Sequence, residues 1–142
     1  MKKLLILLFS ILISFNSYGG LFDKTVCFET ETLERGGLFY LPNKTKPFSG
    51  KNLCEYPSGQ YKSKGNFKNG MMDGQWTLWN ENGQITGEHL IKNNEEITTK
   101  IIYYDENGYK EKEIWLENGQ EIHVNEYSDG KCVYCPPDPP SW

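Results

Sequence analysis

The side chains of this chain that are best suited to chemistry are its four cysteines, Cys27, Cys54, Cys132 and Cys135. Cys132-Val-Tyr-Cys135 has the two-residue spacing of a redox dithiol or of half a metal site. A redox dithiol needs a stabilised thiolate, as at the N-terminus of a helix. This pair instead follows a predicted turn and precedes two prolines, where a helix does not ordinarily begin. A zinc site needs two further ligands, which Cys27 and Cys54 could supply only if all four cysteines meet.

The N-terminus predicts export. The chain opens with Lys2 and Lys3, followed by an apolar run of 12 residues (4–15) and then small residues up to Gly20. This order is typical of a secretory signal peptide, and we predict residues 1–19 as the signal, with cleavage after Gly19. The run is shorter than the roughly 20 residues that span a bilayer. We therefore expect the mature chain to have no transmembrane segment and to lie in the periplasm or outside the cell.

An exported protein with an even number of cysteines is expected to hold them as disulfides. Four cysteines allow three pairings. Cys132 and Cys135 are near neighbours and should pair, which leaves Cys27 to pair with Cys54. Closing the N-terminal loop would stabilise the fold by about 3 kcal/mol on the chain-entropy account. We therefore predict two structural disulfides and no metal.

No other residues have a catalytic arrangement. His89 and His123 are the only histidines, and neither lies in a recognisable nucleophile context with Ser, Asp or Glu. The sequence predicts no catalytic residue, no cofactor and no enzyme activity. Loss of Lys2 and Lys3 with the signal takes the net charge from −4 to −6. Nucleic acid is not an expected partner, because phosphate binding needs clustered Lys and Arg.

Regular turn signals predict an all-β chain. They divide residues 46–131 at intervals of 11 to 14 residues, counted at Gly59, Gly70, Gly83, Asn94, Gly108, Gly119 and Gly130. Asn-Gly and Asp-Gly favour the type I′ turns of hairpins, and the segments between them are rich in β-branched and aromatic residues. We expect an antiparallel meander preceded by a head (20–45) with a first hairpin at 33–41. A tail with the cysteine pair and several prolines (132–142) follows.

An aromatic residue precedes every second turn. Tyr56, Trp79, Tyr104 and Tyr127 follow one another at intervals of 23, 25 and 23 residues. A fixed period in this range is typical of repeat architectures, in which each unit stacks on its neighbours.

Residues 64–76, with Gly65, Phe67, Gly70, Gly74 and Trp76, resemble a MORN repeat. The longer stretch 46–65 is similar to a bacterial MORN-variant family that is often labelled as antitoxin. The resemblance covers about residues 33–130 and is strongest from 46 to 92; Asn93-Asn94-Glu95-Glu96 replaces an expected pair of glycines. It implies an elongated, single-layer, twisted sheet of hairpins with a row of stacked aromatics. It also implies a scaffold, partner-binding or lipid-associating role without catalysis.

The strands should carry aromatic residues on both faces. Regular alternation would place Trp76, Leu78 and Tyr103 on the face opposite to Trp79 and Tyr104. A single layer cannot bury both faces, so one face is expected to bind a partner or to be covered by the head. The candidates for a binding surface are aromatic: Tyr56, Trp76, Trp79, Tyr103, Tyr104, Trp115 and Tyr127.

The sequence therefore predicts an exported, non-catalytic β-repeat protein that binds another protein or itself, at an open face or at an unpaired sheet edge. Three alternatives stay open. They are a periplasmic antitoxin or immunity-like protein, a thiol-disulfide protein that uses Cys132 and Cys135, and carbohydrate binding by aromatic faces.

Overall fold

The computed structural model describes residues 24–138. The predicted signal peptide (1–19) and residues 139–142 lie outside the described residues. In the described part the chain forms one sheet of nine strands, a separate two-stranded hairpin and one short helix. This confirms the predicted all-β, antiparallel hairpin-repeat fold.

The elements follow one another as short hairpins. They are β1 Thr25–Val26, α1 Phe28–Glu31, β2 Leu33–Arg35, β3 Leu38–Tyr40, β4 Gly50–Glu55, β5 Tyr61–Lys68, β6 Met71–Trp79, β7 Ile85–Lys92, β8 Glu95–Tyr104, β9 Lys110–Glu117, β10 Gln120–Ser128 and β11 Lys131–Tyr134. The large sheet has the order β1-β4-β5-β6-β7-β8-β9-β10-β11, and β1 pairs in parallel while the others pair antiparallel. The hairpin β2–β3 belongs to the head.

The turns at one end of the sheet are the two-residue turns that the sequence predicts. Both central residues have positive φ at Asn69-Gly70, Asn93-Asn94 and Asn118-Gly119, and the same holds for Asp129-Gly130 at the other end. Type I′ turns require this backbone, which Asn, Asp and Gly adopt most easily.

The turns after β4, β6 and β8 differ from the expected type I′ turns. Only their glycine has positive φ, at Gly59, Gly83 and Gly108. A backbone N–H donates to the carbonyl four residues on, as in Asn80 to Gln84 (2.9 Å) and Asp105 to Tyr109 (2.8 Å). The side chains of Asn80 and Asp105 add to these turns, because each accepts hydrogen bonds from two backbone N–H groups.

A β-bulge follows each of these longer turns, in β5, β7 and β9. The pairing shifts between Cys54 and Glu55, between Leu78 and Trp79, and between Tyr103 and Tyr104. An extra residue in one strand breaks the simple alternation of faces. Trp76, Leu78 and Trp79 all line one groove, which lies beside the bulge of β7.

The main apolar core lies between the head and one face of strands β4–β7, which we call the head face. Phe28 and Phe39 of the head contact Phe67 and Trp76 of the sheet, with ring centroids 4.9 to 6.1 Å apart. Phe48, Val26 and Ile91 complete this buried cluster. This core is therefore local to the N-terminal half of the sheet.

The predicted disulfide between Cys27 and Cys54 is confirmed and joins the head to β4. Next to it, the buried Asn52 accepts a hydrogen bond from the backbone N–H of Phe28 (3.0 Å) and donates one to the Ser63 hydroxyl (3.0 Å). The head is thus held to the sheet by a covalent bond, by these hydrogen bonds and by aromatic packing.

Gly65 lets the Trp76 indole lie directly against the backbone of β5, since a Cβ at residue 65 would overlap Cδ2 and Cε2 of that ring. We predict that Gly65→Ala lowers the free energy of unfolding by about 1–3 kcal/mol, because overpacking a well-filled core forces shifts of this cost. Urea unfolding of the parent chain and of the variant measures this loss of unfolding free energy. Gly87→Ala is the matched control, since its added methyl meets only the tip of the His89 ring, at 2.9 Å. Equal losses for both variants would contradict this packing.

The two disulfides should contribute unequally to stability. Replacing both Cys27 and Cys54 by Ser should cost about 3 kcal/mol, because that bond joins residues 27 positions apart and closes a long loop. Replacing Cys132 and Cys135 should cost clearly less, since they lie only 3 positions apart. Chemical unfolding of the two double variants beside the parent chain makes the comparison, and an equal or reversed order would show that loop closure does not set these contributions.

Candidate binding face

Beyond the head, the head face carries a row of apolar side chains that runs across the strands. Leu78 pairs with Gly87, Gly87 with Ile101, Ile101 with Ile114, and Ile114 with Val124. Residues that are directly opposite in a sheet share one face, so these five positions from β6 to β10 form one line, which we call the apolar row. Leu78 is 36% exposed, and Ile101, Ile114 and Val124 are half-buried. The four side chains of the row are therefore partly exposed.

A groove adjoins the N-terminal end of the apolar row. This head groove has a volume of about 410 Å³ and lies between α1 and strands β5–β8. Its apolar walls include Phe28, Trp76, Leu78 and Trp79. Because Leu78 belongs to both, the groove and the row form one continuous surface.

A second hollow adjoins the other end of the row. This edge hollow, of about 500 Å³, is lined by Tyr103, Ile114, Tyr127 and Val133 together with charged side chains. Tyr103 is 46% exposed and Val133, in the last strand β11, is 64% exposed. The open part of the head face therefore reaches from the head groove to the edge of the sheet.

The head groove also contains polar groups. Lys62 Nζ lies 2.5 Å from Glu29 Oε2, and this hydrogen bond raises the pKa of Lys62. His89 Nδ1 lies 3.2 Å from the Thr99 hydroxyl and 3.4 Å from Glu96 Oε1. This His89–Thr99–Glu96 cluster could not be predicted from the sequence, because a bulge in the β7–β8 pairing sets its register.

The cluster does not have the geometry of a catalytic triad. A base that activates a hydroxyl uses one ring nitrogen for the hydroxyl and the other for the carboxylate that orients the ring. Here Thr99 and Glu96 both lie near Nδ1, while Nε2 lies close to Gly87. The arrangement is suited to binding and not to activating Thr99 as a nucleophile.

The opposite face, which we call the far face, carries a buried charge. Glu113 is 3% exposed, and its Oε1 lies 2.5 Å from Lys110 Nζ and 3.5 Å from Lys100 Nζ. Its Oε2 accepts hydrogen bonds from the Tyr127 hydroxyl (2.8 Å) and the Asn125 amide (3.3 Å). Burial alone would raise the pKa of Glu113, but these hydrogen bonds and the two lysines outweigh it, so the pKa is lowered.

Trp115 packs on the far face beside this network. It is 6% exposed, its ring lies edge-on to His123 with 4.6 Å between centroids, and Lys100 Nζ lies 5.0 Å from its centroid. The Asp138 carboxylate is 4.0 Å from His123 Nε2, so the described end of the chain lies next to this cluster. Trp115 is therefore a buried packing residue of the far face.

The repeated aromatics also contribute mainly to packing. The Tyr56 hydroxyl donates to the carbonyl of Trp79 (2.8 Å), and the Tyr104 hydroxyl donates to the carbonyl of Ile85 (2.8 Å). Tyr127 uses its hydroxyl on the buried Glu113. Of the seven aromatic candidates, Trp76 is buried in the core, Trp79 lines the head groove and Tyr103 is the most exposed.

The structure pairs the cysteines as predicted, Cys27 with Cys54 and Cys132 with Cys135. Cys132 and Cys135 are exposed, and they lie in β11 and just after it, away from any helix of the described chain. Glu29 lies close to the Cys27 and Cys54 sulfurs. Those sulfurs are bonded to each other, so they are not thiolate ligands for a metal.

In the region that the structure describes, no helix combines the length and the apolar character that crossing a bilayer requires. Comparison with protein-family models, curated proteins and solved structures gave no match. The resemblance to the MORN-variant family therefore stays a prediction.

The lowered pKa of Glu113 predicts a dependence of stability on pH. A carboxylate whose pKa is lower in the folded than in the unfolded state stabilises the fold above its unfolded pKa, and this contribution is lost as the pH falls through the folded value. At pH 7, Glu113→Gln should cost about 2 kcal/mol, since it removes hydrogen bonds to a charged group. The difference from the parent chain should shrink as the pH falls below about 4.3, the usual value for Glu.

Urea unfolding at several pH values between 7 and 3 tests this. Glu111→Gln, at an exposed position two residues away, is the control and should leave stability almost unchanged. If the cost of Glu113→Gln were the same at pH 3 as at pH 7, the buried carboxylate would not be the source of the stabilisation.

Proposed function

We propose that this chain is an exported, non-catalytic β-repeat protein that binds another protein through the open part of its head face. The observation that supports this best is the partly exposed apolar row from Leu78 to Val124, which lies between two hollows. A contiguous, partly exposed apolar strip is a usual mark of an interaction site. The predicted signal peptide and the two disulfides fit an extracytoplasmic location.

The far face supports the same proposal by contrast. The buried polar groups of Glu113 and Asn125 have partners within the chain, whereas the buried Thr98 hydroxyl has none among the described residues. Its largest aromatic residue, Trp115, is buried. The head face instead combines the apolar row with two hollows, so a partner would gain more from covering it.

The proposal predicts that one charge in the apolar row abolishes partner capture. Ile114→Lys places an ammonium in the middle of the row, and binding to envelope extract should fall at least tenfold. Leu90→Lys is the matched control, since Leu90 is 40% exposed but is paired with Gln75 and Thr98 on the far face. Quantitative pull-down with the mature chain, preceded by circular dichroism to check folding, measures both. Equal capture by the two variants would refute this use of the head face.

The same comparison separates self-association from binding of another protein. Size-exclusion chromatography with light scattering of the purified mature chain gives its mass. A dimer that dissociates in Ile114→Lys but not in Leu90→Lys would identify a second copy as the partner. An immunity-like role corresponds to the case in which the captured partner is a toxin.

A thiol-disulfide role is the second candidate, and the exposure of Cys132 and Cys135 favours it. The absence of a described helix at either cysteine weighs against a stabilised thiolate. Reduction of insulin by the parent chain and by Cys132→Ser tests this role. We expect equal, negligible rates; a rate that depends on Cys132 would favour the redox role.

A further inference from the structure

The two hollows at the ends of the apolar row have the same kind of lining. The head groove combines Phe28, Trp76 and Trp79 with Glu29, Glu96 and Lys62, besides His89. The edge hollow combines Tyr103, Tyr127 and Val133 with Glu111, Glu126 and Lys112. Each therefore offers aromatic walls, two carboxylates and one lysine. Their volumes of about 410 and 500 Å³ are within the range of sites that enclose organic groups.

The charge of each hollow is negative in sum. In the head groove the ammonium of Lys62 is held by Glu29. The Glu96 side chain is 58% exposed and faces only the His89 ring and the Thr99 hydroxyl among its described partners. The edge hollow has two carboxylates against a single lysine. Since a cation is attracted to both ends of the row, a ligand with positive charges beside its apolar groups is complementary to this surface.

The distance between the hollows can be estimated from the sheet. Leu78 lines the head groove and Ile114 lines the edge hollow. They lie in β6 and β9, which are three strand spacings apart, or about 14 Å. An extended chain advances about 3.3 Å per residue, so about four residues of a partner that crosses the strands span this distance.

We infer that the apolar row with its two hollows binds an extended segment of a partner protein. The segment has two large apolar side chains about four residues apart, with lysine or arginine beside them. One apolar side chain enters the head groove, the other enters the edge hollow, and the basic residues face Glu96, Glu111 and Glu126. The inference rests on the proposed function and specifies the chemistry of the partner.

Labelled synthetic peptides test the inference directly. The probe is the acetylated nine-residue peptide Lys-Ser-Phe-Ser-Thr-Ser-Phe-Ser-Lys, whose two phenylalanines, four residues apart, share one face of the extended chain with both lysines. Its binding to the mature chain is followed by fluorescence anisotropy. Three control peptides replace both lysines by glutamate, replace one phenylalanine by serine, or bring the two phenylalanines next to each other. We expect each control to bind at least tenfold more weakly than the probe, and binding of the probe to weaken with added salt.

Variants of the protein locate the site. Thr86→Trp fills the head groove, since Thr86 is one of its lining residues, and Glu96→Lys reverses the charge at its mouth. Both variants should bind the probe peptide at least tenfold more weakly than the parent chain does. Leu90→Lys, on the far face, should leave the affinity for the probe unchanged. Equal binding of the glutamate peptide, or no effect of either groove variant, would overturn the inference.

The inference and the proposed function can fail separately. If Ile114→Lys abolishes capture of the partner from envelope extract while Thr86→Trp and Glu96→Lys leave it intact, the head face binds its partner without the groove, and only the inference is refuted. If Ile114→Lys also leaves capture intact, both are refuted.

Discussion

A single layer of β-sheet has two faces, and the fold of this chain depends on how each of them is covered. The head covers the N-terminal half of the head face, where Phe28 and Phe39 pack on Phe67 and Trp76. In the C-terminal half the buried residues are instead on the far face, around Glu113 and Trp115. The core thus changes sides along the sheet, and the head face of the C-terminal half remains open. The candidate binding face is the part of the sheet that lies outside both the head core and the far-face cluster.

Much of the fold could be predicted from the sequence because it depends on local chemistry. Asn-Gly and Asp-Gly mark the hairpins, and the short separation of Cys132 and Cys135 favours the two disulfides that the structure has. The bulges could not be predicted, since each depends on one extra residue in a long strand. A bulge changes which face of the sheet the following residues occupy. The groove that Trp76 and Trp79 both line could therefore not be predicted from the sequence.

The candidate site could be predicted only in part, because it too depends on the register of the strands. Trp79 and Tyr103 stood out by residue type, and the structure places both at hollows of the head face. The apolar row was missed, because Leu78, Ile101 and Ile114 are ordinary strand residues that align only through the register of four strands. Trp115 has the residue type of a binding aromatic, but the lysine and histidine packed on it are distant in sequence.

The attachment of the head to one end of the sheet has a consequence for how this chain can change in evolution. The turn residue Asn94 is the last described contact to the head hairpin, where its side-chain amide donates to the carbonyl of Gly37 at 2.9 Å. Hairpins after β9 have no part in the head core. Duplication or loss of such a hairpin would leave that core intact and would change the length of the open surface, while loss of β10 would also remove Asn125 and Tyr127, the partners of Glu113. Related chains could therefore differ in the length of the sheet by whole hairpins, while the head and its core stay the same.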